Sequence, residues 1–128
     1  MGKSRKIVVD GMTYMWRFAP GYEKTGEAAN RYRCHDIFTA YIHEYRHSPL
    51  QAHFITWEDP VIGGPLHMGA PINLYDSTSP RINLHEPKNA AKMIRLALQL
   101  GWQPANGKKP FVIENGQDIL AELWNKAE

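Results

Sequence analysis

The stretch RKIVVDGMTYMWRF, Arg5 to Phe18, constrains the fold more than any other part of the chain. Two runs rich in strand formers flank Asp10-Gly11. Asp-Gly suits a two-residue type I′ turn, because both central positions need positive φ. The expectation is a β-hairpin. In its second strand Met12, Tyr14, Trp16 and Phe18 share one side by period-2 alternation, with Thr13 and Arg17 on the other. The aromatic side is predicted to face a core, which makes Trp16 a core residue rather than a ligand contact.

The chain has 128 residues, the size of a single domain. Its 43% apolar and 22% charged residues give a globular balance, enough to bury a core without disulfides. Cys34 is the only cysteine, which excludes an internal disulfide and fits a reducing cytoplasm. The formal charge of +2 is too small to imply nucleic acid. The cluster Lys3, Arg5 and Lys6 reads as a solvated first strand, with a nucleic-acid or phospholipid contact as the alternative. No apolar run approaches the roughly 18 residues of a membrane span, and MGKSRKIVVDGM lacks the long apolar stretch of a signal peptide. The expectation is a cytoplasmic protein without membrane contact.

Ala19 to His35 is polar and reads as a loop, with room for a turn of helix at Glu27 to Ala29. Asp36 to Arg46 and Leu50 to Trp57 are apolar-rich runs joined by His47-Ser48-Pro49. Glu58 to Pro80, with Pro60, Pro65, Pro71, Gly63, Gly64 and Gly69, shows little periodicity. Loops of that length are often functional. A helix is predicted from Pro87, with Ala90, Met93, Ile94, Ala97 and Leu98 as its apolar stripe. Gly101 is its natural left-handed stop, and Trp102 is expected to fold back over the stripe. Pro110 to Glu114 reads as a short strand, and Asp118 to Lys126 as a terminal helix. The sum is an α+β domain of order ββ-ββ-α-β-α: an antiparallel sheet of four to five strands with two helices on one face.

Tyr41 to His53, YIHEYRHSPLQAH, spells H-E-x-x-H. On a helix, His43 and His47 share a face roughly 6 Å apart at their bases. They can then hold one Zn²⁺ while Glu44 polarises a bound water. His53 would be the third ligand, a spacing that resembles the metzincin peptidases. Their pattern carries a glycine where this chain has Leu50, directly after Pro49. A branched side chain tolerates the required swing poorly. On a strand the same two histidines stand about 13 Å apart at their backbones, beyond easy reach of one ion. Ile37, Phe38, Tyr41, Ile42 and Tyr45 fit a helix face as well, so periodicity leaves both geometries standing. The density of β-branched and aromatic residues favours the strand. Under that reading no metal or other cofactor is expected. A zinc-dependent metallohydrolase using His43, Glu44, His47 and His53 is the alternative. Cys34 beside His35 spells a nucleophile–base pair, but neighbours on a strand point to opposite faces.

VDGMTYMWR resembles the V-x-G-x-x-Y-x-W-R opening of an uncharacterised family of small bacterial proteins. INLHEPKNAAKMIRLALQLGWQP followed by KPFVI is similar to that family's second signature, a helix ending Gly-Trp-x-Pro before a strand. Gly69-Ala70-Pro71 is similar to its short loop motif. The resemblance implies a fold, with the middle segment a pair of strands, and supplies no catalytic residues.

The functional expectation is a non-enzymatic module that binds another protein, immunity-like or regulatory. Trp57, Glu58, Asp59, His67, Tyr75 and Asp76 in and beside the long loop are its candidate binding residues, since they combine aromatic area with polar specificity. Tyr41 and Tyr45 are expected to pack against the sheet.

Overall fold

The computed structural model describes residues 4–24, 32–57, 66 and 81–124. Within them the chain forms β1 (Arg5–Val9), β2 (Met12–Ala19), β3 (Tyr22–Lys24), β4 (Tyr32–Ile42), β5 (Tyr45–Trp57), α1 (Pro87–Gln99), β6 (Phe111–Ile113) and α2 (Gly116–Leu123). Five strands lie side by side in the order β1-β2-β4-β5-β6, and the short β3 pairs with β4 off this path. The expected α+β class and antiparallel sheet are observed. The last pairing, β5 with β6, is parallel. A parallel neighbour needs a crossover, and α1 lies in that connection.

The first hairpin forms as its sequence demands. Asp10 and Gly11 take φ of 51° and 82°, and Val9 pairs with Met12. β2 then buries Tyr14, Trp16 and Phe18, while Met12, at the strand end, stays 42% exposed. The alternation runs on across the sheet. Phe38, Ala40 and Ile42 of β4 and Leu50, Ala52 and Phe54 of β5 join the same buried face. Trp16 stacks on Phe38 with ring centroids 5.8 Å apart, and Phe18 meets Phe54 edge-on.

Both helices cover this face. α1 buries Ala90, Met93, Ile94, Leu96 and Ala97. It ends at Leu100, and Gly101 follows with φ of 111°, as its position after the stripe predicts. Trp102 folds back: its backbone N–H reaches the Ala97 carbonyl and its ring lies 5.7 Å from that of Tyr14. α2 starts at Gly116, two residues before the expected Asp118. A Cβ at Gly116 would stand 2.5 Å from Cε1 of Phe54 and 2.9 Å from the His53 carbonyl oxygen. The missing side chain lets the helix enter against β5. Gln117 then accepts a hydrogen bond from the Ile55 amide through Oε1 at 3.1 Å.

Two boundaries differ from the sequence expectation. β3 and the start of β4 occupy what reads as a polar loop between Ala19 and His35. The amide of His35 donates to the Gly21 carbonyl, and the Gly21 amide donates to Oδ1 of buried Asp36. These long-range bonds leave no hydrophobic periodicity in the sequence. The β4–β5 reversal also falls at His43-Glu44, not at His47-Ser48-Pro49. Residues 46 to 49 instead form a wide bulge opposite Tyr41. The bulge accommodates Pro49, which has no N–H for the ladder. It is pinned from outside the sheet, where Trp102 donates its indole N–H to the Ser48 carbonyl at 2.8 Å and the Tyr45 hydroxyl donates to the Gly107 carbonyl at 2.7 Å.

Candidate functional site

The H-E-x-x-H residues sit at a hairpin tip. His43 and Glu44 are the two turn residues, and the His43 amide donates to the Thr13 carbonyl at 3.1 Å. His47 lies in the bulge with its ring edge-on to Tyr45, 5.0 Å between centroids. The helix face that zinc peptidase chemistry requires is therefore not formed. His53 is remote as well. It pairs with Ile37, and roughly 20 Å of extended chain separates Ile37 from His43. Among the described residues, no group of three or more His, Cys, Asp or Glu side chains converges on a point that could hold a metal.

His53 has a different companion. His35 stands opposite Ile55 and His53 opposite Ile37, so the two histidines are diagonal neighbours on adjacent strands. Nε2 of His35 lies 3.0 Å from Nδ1 of His53. This pair was invisible from the chain, because it depends on the β4–β5 register. The spelling Cys34-His35 pointed elsewhere.

Both histidines belong to the outer face of the sheet, the side away from α1 and α2. By register and alternation this face carries Val8, Met15, Arg17, Ile37, Tyr41 and Ile55, with Val112 at the β6 edge. Val8 is 66% and Val112 47% exposed. None of these apolar residues belongs to the core cluster or packs against it. The guanidinium of Arg46 lies over the Tyr41 ring, 5.2 Å from its centroid. Tyr45, by contrast, packs on the core. At the hairpin tips a cleft of about 620 Å³ opens between Lys6, Val8, Met12, Thr13, His43 and Glu44.

The basic first strand offers less free charge than its sequence implies. Arg5 stacks over the Trp16 ring at 4.3 Å and donates to the His85 carbonyl. Near it, burial and, secondarily, the Asp10 carboxylate raise the pKa of Tyr14 above its ordinary 10.0. Of the sequence-predicted binding residues, Trp57 is the last residue of β5, with its backbone paired to Arg33. Glu58, Asp59, His67, Tyr75 and Asp76 lie outside the described residues. Among the described residues no helix is long and apolar enough to cross a membrane.

Comparison with family models, curated proteins and solved structures gives no match.

Proposed function

We propose that this domain is a non-enzymatic protein-interaction module, immunity-like or regulatory, which meets its partner through the outer face of the sheet. The observation that supports this reading is the composition of that face. An antiparallel sheet covered on one side ordinarily alternates apolar inward with polar outward. Here the outward set includes Val8, Met15, Ile37, Tyr41, Ile55 and Val112, and no described helix covers them. Val8, Met15 and Tyr41 adjoin across β1, β2 and β4, and adjoining apolar groups on a sheet surface mark interaction sites more often than isolated ones do. Tyr41 under Arg46, with Arg17 beside them, supplies the aromatic and guanidinium groups that anchor protein interfaces.

The test is capture of a partner from a lysate of the source organism. The wild-type chain is compared with a Val8→Lys, Ile55→Lys double variant whose thermal midpoint is checked first. The wild type is expected to retain one protein in near-stoichiometric amount, and the variant to lose it while staying folded. Equal recovery by both chains, or repeated recovery of nothing under native expression, overturns the reading.

A further inference from the structure

We infer that His35 and His53 form a binding site for a borderline transition-metal ion, Cu²⁺, Zn²⁺ or Ni²⁺, on the outer face of the sheet. The inference is independent of the interaction reading and of the H-E-x-x-H spelling. It starts from the 3.0 Å separation of His35 Nε2 and His53 Nδ1. Two imidazole nitrogens at that distance share one proton, since one must donate and the other accept. A metal can take the proton's place. Two nitrogen ligands at 2.0–2.1 Å on a tetrahedral ion stand about 3.3 Å from each other. The observed spacing is short of this by only a few tenths of an ångström.

The rings need to turn, not the backbone. Each lone pair must swing about 35° off the nitrogen–nitrogen line to meet at a tetrahedral ion. The last side-chain torsion of histidine is broad, so the rings can turn without moving the backbone. The ring planes already lie 54° apart rather than coplanar. Meanwhile the backbone under both residues is held. His35 is bonded to Gly21 at its amide, and the His53 carbonyl lies under the close approach of α2 at Gly116. Cross-strand placement on paired strands thus pre-organises the ligands before any ion arrives.

The donor set chooses the ion. Neutral imidazole suits copper, zinc and nickel, with Cu²⁺ held most tightly along the divalent series. Mg²⁺ and Ca²⁺ demand oxygen ligands and are excluded by chemistry. The two nitrogens placed among the described residues leave further positions on the ion to other donors. Both ligands must be deprotonated at the coordinating nitrogen, so acid weakens binding.

The experiment uses the full chain without a histidine tag. Calorimetric titration with CuCl₂ and ZnCl₂, and with MgCl₂ for comparison, is expected to show one equivalent of Cu²⁺ or Zn²⁺ and none of Mg²⁺. His35→Gln and His53→Gln should each weaken binding about tenfold or more. A His43→Gln, His47→Gln chain should match the wild type. Imidazole nitrogen NMR of the unaltered protein reads the same site without any substitution. Zn²⁺ is expected to move His35 Nε2 and His53 Nδ1 above all other ring nitrogens. No binding up to about 1 mM ion, or shifts confined to other histidines, overturns the proposal.

Discussion

The two faces of the same strands obey different rules. On the helix-covered side of β2, β4 and β5, Trp16, Phe38, Leu50 and Phe54 are shut from solvent and meet α1 and α2. On the other side, one residue along in each strand, Met15, Arg17, Ile37, Tyr41, His53 and Ile55 alternate apolar and polar groups with no described helix above them. The first face packs, and there shape decides. The second carries apolar residues that lie outside the described core, with Val8 and Val112 exposed, together with a histidine pair whose nitrogens approach to 3.0 Å.

That asymmetry can be broken by substitution. Trp16→Ala should have the largest effect. It removes the ring stacked on Phe38 and under Arg5, and should cost about 3–5 kcal/mol in chemical denaturation. Retention of near wild-type stability would show that the aromatic face is not the core. Gly116→Ala is the smaller steric test of the same face. Its methyl meets the Phe54 ring and the His53 carbonyl, and should cost about 1–3 kcal/mol, read as a lower urea midpoint.

Tyr14 reports on the buried face through pH. Burial raises its pKa, so the unfolded chain loses the phenolic proton near pH 10 while the native chain keeps it. Its stabilising contribution is full below that pH and is lost as pH climbs through the higher folded value. The wild type should lose stability above pH 10 by up to about 1.4 kcal/mol per pH unit from this residue. Tyr14→Phe should flatten that slope in urea titrations at pH 9 to 11. An unchanged slope would place the alkaline loss elsewhere.

The smallest effect is expected on the outer face. Val8→Thr keeps the strand-forming shape at a position 66% exposed and should shift stability by less than about 0.5 kcal/mol. A loss as large as that of Gly116→Ala would mean that something packs over Val8, and the contrast between the faces would fail.

Much of the architecture was legible. Asp10-Gly11 between alternating runs specifies a hairpin locally, and the Pro87 to Gly101 stripe specifies a helix with its stop. The alternation that put Tyr14, Trp16 and Phe18 inside held along β2. The middle of the chain is less legible. Its residue types specify strands, but the turn lies at His43-Glu44 rather than His47-Ser48-Pro49, where Trp102 and Gly107 hold the bulge from far along the chain. The site was legible only in pieces. His53 stood out as a candidate ligand, yet its companion is His35, on the neighbouring strand, and not His43 or His47.

Neighbours along the chain account for turn chemistry, period-2 and helical stripes, and a helix stop. Tertiary structure decided the β4–β5 register, the bulge, the entry of α2 over Gly116 and the meeting of His35 with His53. These follow from pairing between residues far apart in the chain, where a shift of one position sends every side chain to the opposite face. Local patterns mark most of the strands, though not β3; packing against Trp102, Phe54 and the helices goes with the register that brings two imidazoles together.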